Sequence, residues 1–189
     1  MFKNLSPGAI GVAADMKQGL AYARQFGFEG LDLNIYEAQK IAEEQSIEEV
    51  NKLWDGIKMG SWTFPITWNA PEEEYREQLS QLPKVAALAA ELGCFRTAIW
   101  IPPASSEKTY QENWDFHVSR FRPIGEILAD YGHMIGLEFI GPRTSRANAK
   151  HGFVYTVQRY TAIGIGRNHW AASYRLSYGP HPGCGSWNG

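Results

Sequence analysis

Residues 26–35 (FGFEGLDLNI), 92–101 (LGCFRTAIWI) and 131–140 (YGHMIGLEFI) repeat one arrangement of apolar and polar positions. In each, a glycine stands ahead of a largely apolar, strand-like run, and a stretch of helical periodicity precedes the glycine. Gly27, Gly93 and Gly132 suit the left-handed turn that ends a helix. A strand apolar on both faces is what a parallel sheet needs when helices cover it.

The polar positions mark where the helices begin. Asp15 can cap a helix with Met16, Leu20 and Ala23 on one face. Ser46 and Glu49 have capping-box spacing ahead of the stripe Ile47, Val50, Trp54 and Ile57. Asn69 and Pro71 are expected to open a helix whose first turn holds Glu72, Glu73 and Glu74. Its stripe is Tyr75, Leu79, Leu82, Ala86 and Ala89. Another stripe runs through His117, Phe121, Ile124, Leu128 and Tyr131. Pro83 and Pro123 fall inside these two helices and are expected to kink them. With a first strand near residues 9–12 and a third near 58–65, the order is strand and helix in alternation, five strands in all. Such alternation implies a parallel sheet with right-handed crossovers. An open doubly wound sheet and a (β/α)8 barrel both satisfy it. The open sheet usually carries a glycine-rich phosphate loop after its first strand, and AIGVAADMKQG holds no such motif.

Composition narrows the field a little. The chain has 189 residues, 44% hydrophobic and 13% aromatic, enough for one buried core. No apolar run nears the roughly 18 residues that span a bilayer, and the N-terminus lacks the layout of a secretion signal. Cys94 and Cys184 make neither a disulfide framework nor a metal cluster, so a cytoplasmic location is expected, with no membrane partner. The net charge of −2 hides an asymmetry. All 20 acidic residues lie at or before Glu138. Twelve of the 18 Lys and Arg share that stretch, which therefore carries −8; the other six leave the remainder at +6. Those six are scattered, without a lysine run or helical spacing, so no nucleic-acid partner is expected.

The stretch IGLEFIGP (residues 135–142), with TFPITW (63–68), LGCFRTAIWIPP (92–103) and the segment 113–128, resembles the xylose isomerase-like barrel superfamily of sugar isomerases and epimerases. The likeness covers about residues 8–157. It implies an α/β fold, an incomplete (β/α)8 TIM barrel of about five βα units over residues 1–157. It also implies a divalent metal (Mn, Mg, Co or Zn) at the barrel mouth, and proton abstraction beside the carbonyl of a small sugar or sugar phosphate. Of the superfamily's metal ligands, only the glutamate ending the fifth strand has a counterpart here, Glu138. The residue itself reads compatibly: a carboxylate in an apolar run needs a cation to stay ionised when buried, either a metal or an arginine such as Arg143 or Arg96. Trp68, Trp100 and Arg143 fall near strand ends, where barrel sites gather, and are candidate substrate contacts through ring stacking or anion binding. Asp32 and Asn34 share a parity on the second strand and either line the interior or touch substrate. His117 sits on an apolar stripe and reads as packing; His151 is a further candidate for the site.

A full barrel of this kind has about 250 residues, so three units are expected to be missing. Residues 158–189 depart from the superfamily pattern: they hold six glycines, no acid and no amphipathic stripe. They are expected to be a non-native tail resembling a shifted reading frame, and not a sixth βα unit. The chain is accordingly expected to be impaired or inactive, with self-association through open sheet edges. The alternatives are a non-catalytic fragment of such a barrel and a member of the superfamily's nuclease branch. The second is opposed by the −8 charge and by the absence of histidine from SWTFPITW.

Overall fold

The computed structural model describes residues 1–156, and the expected tail at 158–189 lies outside the described residues. In chain order the elements are β1 (Asn4–Leu5), α1 (Met16–Gln25), β2 (Gly30–Leu33), α2 (Ile35–Glu44), α3 (Ile47–Leu53) and β3 (Lys58–Trp62). They continue with α4 (Glu72–Glu91), β4 (Arg96–Ile101), β5 (Ala104–Ser105), α5 (Tyr110–Asp130), β6 (Met134–Phe139) and β7 (His151–Gly152). Five strands form one sheet in the order β1-β2-β3-β4-β6, every neighbouring pair parallel. The two short strands β5 and β7 pair antiparallel on their own. This is a partial TIM barrel: strands in sequence order, the first four of the sheet each leading to a helix, with helices packed on one face of the sheet.

Local chemistry sets the helix starts. Asp15 Oδ1 accepts from Gln18 N at 2.8 Å while Gln18 Oε1 accepts from Asp15 N at 3.1 Å, a closed capping box. Thr109 and Glu112 repeat the arrangement at α5. Ser46 Oγ accepts from Glu49 N at 3.3 Å, the forward half of the box expected there. At α4 the cap residue is Pro71, with no side-chain cap, and Asn69 lies outside the helix. The three glutamates of its first turn meet the positive end of the helix dipole. Both α4 and α5 run unbroken through Pro83 and Pro123. Gly27, Gly93 and Gly132 take φ of 68°, 73° and 75° just past α1, α4 and α5, a backbone conformation that a Cβ disfavours.

Two expectations need correction. The first strand is Asn4–Leu5, not the apolar run at 9–12; Pro7–Ile10 is a 3-10 turn closed by Gly11 at φ 75°. The second concerns Asn34, which is not on β2. Its Oδ1 accepts from the N–H groups of Tyr36 and Glu37, so it caps α2, a helix that the alternating text LDLNIY conceals.

The core lies between sheet and helices. On β4 and β6 the register pairs Thr97 with Ile135, Ile99 with Leu137 and Ile101 with Phe139. Thr97, Ile101, Ile135 and Leu137 are buried, together with Phe121, Ile124 and Leu128 of α5. Alternation then sends Ala98, Trp100, Gly136 and Glu138 to the opposite face, and all four are exposed. In a barrel that opposite face is the interior.

Candidate functional site

Glu138 is the penultimate residue of β6, at its C-terminal end. Its register partner across the sheet is Trp100 of β4, which is 55% exposed. The two side chains therefore stand next to each other on the face that the helices leave uncovered. Arg143 or Arg96 was the sequence's alternative partner for a buried Glu138. Instead the carboxylate is exposed, and among the described residues no ion pair or hydrogen bond reaches it.

Further along the same face, Asp32 Oδ1 accepts from Asn4 Nδ2 at 2.8 Å, Ser61 Oγ at 3.1 Å and Ser61 N at 3.2 Å. The network ties β1, β2 and β3 together and accounts for Asp32 as a lining residue. It also fixes the backbone beneath it, since a Cβ on Gly60 would lie 2.3 Å from Asn4 Oδ1. Asn4 carried no signal in the sequence, because the first strand is read elsewhere.

The loops at the strand C-termini are tied to one another. Glu37 Oε2 accepts from Met16 N and Oε1 from Asn34 Nδ2, both at 2.7 Å, joining the starts of α1 and α2. The β5–β7 ladder, with Phe153 N donating to Pro103 O at 2.7 Å, clasps the loop after β4 to the loop after β6. His151 belongs to this clasp, in register with Ser105. Beside it, hydrogen bonds from the Thr109 hydroxyl and N–H hold the Glu112 carboxyl below its ordinary pKa.

Arg143 opens the 3-10 turn Arg143–Arg146 directly after β6 and is exposed. Trp68 is placed differently from the other candidates. It is 7% exposed, with ring centroids 4.7 Å from His117 and 5.6 Å from Phe121, so the structure gives it a packing position. His117 is packed as its stripe implies, its Nδ1–H donating to Asn113 O at 2.7 Å. The loop bearing Trp68 is pinned by Arg120, whose Nη2 donates to Ala70 O at 3.2 Å. Among the described residues no three His, Cys, Asp or Glu side chains gather at one point. Glu138 is thus a lone candidate ligand, and these residues do not by themselves fit a divalent ion. No helix of the described residues is long and apolar enough to cross a membrane.

No curated protein matches the chain. Among solved structures it is similar to a xylose isomerase domain protein from Alicyclobacillus acidocaldarius. That match has a TM-score of 0.75 and 22% identity, covering 91% of this chain and 59% of the other. It is also similar to the IolI protein with a binding zinc atom (TM-score 0.60, 15% identity, 75% and 52% covered). A third likeness is to D-psicose 3-epimerase with D-tagatose from Clostridium cellulolyticum H10 (TM-score 0.59, 15% identity, 86% and 58% covered). At these identities the likeness is one of fold, and the chain spans little more than half the length of each. The family model described as xylose isomerase-like TIM barrel matches residues 20–163. That match takes in most of the sequence, and the chain belongs to the xylose isomerase-like TIM barrel family.

Proposed function

We propose that this barrel segment belongs to a divalent-metal-dependent sugar isomerase or epimerase, with Glu138 as a metal ligand and Trp100 and Arg143 as substrate contacts. The observation that carries the reading is the placement of Glu138: an exposed carboxylate, without a partner among the described residues, at the C-terminal end of β6 beside Trp100 on the uncovered face. Barrel enzymes of this architecture work at that end of the strands. Two of the similar structures, named for a bound zinc and for a bound ketose, agree with a metal and a small sugar. Trp68 then serves the site indirectly, by packing the β3–α4 loop. The setting is that of a cytoplasmic enzyme of carbohydrate metabolism.

The chemistry implied is removal of a proton beside a carbonyl, which needs a base on one side of the substrate and an acid on the other. The described residues bring one carboxylate to the position. We therefore expect the 189-residue chain to have little or no isomerase activity by itself. The test is a Mn²⁺ titration followed by NMR on the Trp100 indole, with solvent deuterium exchange into a panel of ketoses run in parallel. Weak paramagnetic broadening at Trp100, as a single carboxylate allows, that Glu138→Gln abolishes supports the ligand assignment. Broadening that persists unchanged in Glu138→Gln overturns it. Metal-dependent exchange that disappears with the same substitution would support the enzyme reading and overturn the expected inactivity.

A further inference from the structure

The loop that follows β6 is chemically unlike the rest of the described chain. From position 139 to 156 it carries Arg143, Arg146 and Lys150 and not one carboxylate, whereas the residues up to Glu138 sum to −8. An acidic body repels anions over most of its surface, so this rim is where a negatively charged solute meets positive potential.

The rim is also shaped. Arg146 spends its guanidinium on the fold: Nη1 donates to Gly141 O at 2.5 Å, and the group stacks over the Tyr155 ring with its central carbon 4.2 Å from the centroid. These contacts brace the turn from Gly141 to Arg146 across its own ends. The β5–β7 ladder holds the far side of the same loop against the loop after β4. Arg143 stands at the head of that braced turn and is exposed, and among the described residues no hydrogen-bond acceptor or carboxylate meets its guanidinium. Arg24 donates to the carbonyls of Leu53 and Asp55, Arg76 pairs with Glu72, and Arg120 is buried on Ala70 O. Arg96 at the start of β4 and Arg122 on α5 are, like Arg143, without a side-chain partner among the described residues, but of the three Arg143 alone stands at the C-terminal end of the strands.

Four residues separate Arg143 from Glu138, a stretch that reaches at most about 3.6 Å per residue. Both residues therefore stand at the C-terminal end of β6, the end over which a sugar on Glu138 and Trp100 would lie. We propose that Arg143 recognises an anionic group on the substrate, a phosphate ester or a carboxylate, so that the ligand of this rim is an acidic sugar and not a neutral one. Guanidinium is suited to the task because its fork meets two oxygens of either group at once. Arg146 is the positioning residue that fixes the turn. The sugar half of this inference rests on the proposed function; the anion half does not.

Binding measured without metal separates the two. At constant ionic strength, the 189-residue protein is titrated with D-fructose, D-fructose 6-phosphate and D-gluconate, with NMR shifts in the turn at 143–146 as readout. At least one acidic sugar should bind ten-fold or more tightly than fructose, and which one does so identifies the group. Arg143→Ala should close that gap, and Arg143→Lys should keep part of it through charge alone. Arg122→Ala, at an exposed arginine of α5 outside the rim, should leave it intact. Because the titration contains no metal, a failed metal assignment and a failed anion site give different results. Equal affinity for all three sugars, or a preference that survives Arg143→Ala, overturns the proposal.

Discussion

Replacing Arg120 with methionine tests whether the guanidinium or the aliphatic stem holds α4 and α5 together. Arg120 is 8% exposed, with its guanidinium carbon 4.2 Å from the Tyr75 ring centroid and 5.2 Å from that of Phe116. Methionine keeps the stem's packing at similar volume. What disappears is the donor to Ala70 O, and that residue is itself buried at 7% exposure. An acceptor left unpaired in such a place costs about 1–3 kcal/mol. Loss of the cation–ring contacts adds about 1 kcal/mol. Against these stands the relief of no longer holding a charge out of water, which can cancel much of a buried pair's worth. Here the relief comes from one ion only, because the Glu72 carboxylate that faces Arg120 is itself in solvent and keeps Arg76 as a second partner. The Tyr75 hydroxyl donates at 2.6 Å to the Arg120 carbonyl, a main-chain bond that survives the change. The net expectation is a destabilisation of about 2 kcal/mol, or about 1 M in the urea midpoint. Arg120→Lys should fall between the two, since it keeps charge and loses the fork. A methionine variant that unfolds at the parent's midpoint would refute the reasoning and make the guanidinium dispensable.

Glu138→Gln should leave the urea midpoint unchanged, because an exposed, unpaired carboxylate contributes within about 0.5 kcal/mol; a large loss would mean that it has a structural task. Burial holds the His117 and His133 imidazoles below their ordinary pKa. The unfolded chain therefore binds protons first as pH falls below about 6.5, and stability should decline from there downward. The decline should be shallower in His117→Phe; an unchanged slope would count against burial as its cause. The Cys94 thiol, pushed up to about 11 by burial, should resist a thiol reagent at pH 8 in a Cys184→Ser background until denaturant is added. Rapid labelling of the native protein would contradict that.

What the sequence disclosed and what it hid divide along a physical line. Gly27, Gly93 and Gly132 were readable because a helix end needs a left-handed residue at one position, whatever lies around it. That Trp100 and Glu138 fall near strand ends was legible too, the first from the bounds of an apolar run and the second from the family resemblance. The α2 helix escaped notice because Asn34 does two things that look alike in text: it continues the alternation of β2 and it caps the next helix. The first strand escaped because Ala9-Ile10-Gly11-Val12 is more apolar than Asn4-Leu5, yet pairing with Gly30 and Leu31 goes to the shorter segment. The exposure of Glu138 was beyond reach altogether, because burial on a barrel's inner face depends on strands across the axis rather than on neighbours in sequence. Trp68 shows the reverse case: its place near a strand end suggested the mouth, while tertiary packing against His117 and Phe121 claimed the ring.

The bond pair made by Glu37 has a consequence for how this protein can vary. Residues 6–15 hang between two fixed points, β1 at one end and the Glu37-anchored start of α1 at the other. Ile10 and Val12 within them are exposed. Lengthening such a loop changes its closure entropy only slowly, by about 0.6 kcal/mol for each doubling. Insertions there should accordingly be tolerated without disturbing the frame. For anyone wishing to graft a new recognition loop onto this barrel, or for selection acting on it, the segment between Leu5 and Asp15 is a stretch of chain that can be rewritten at small cost.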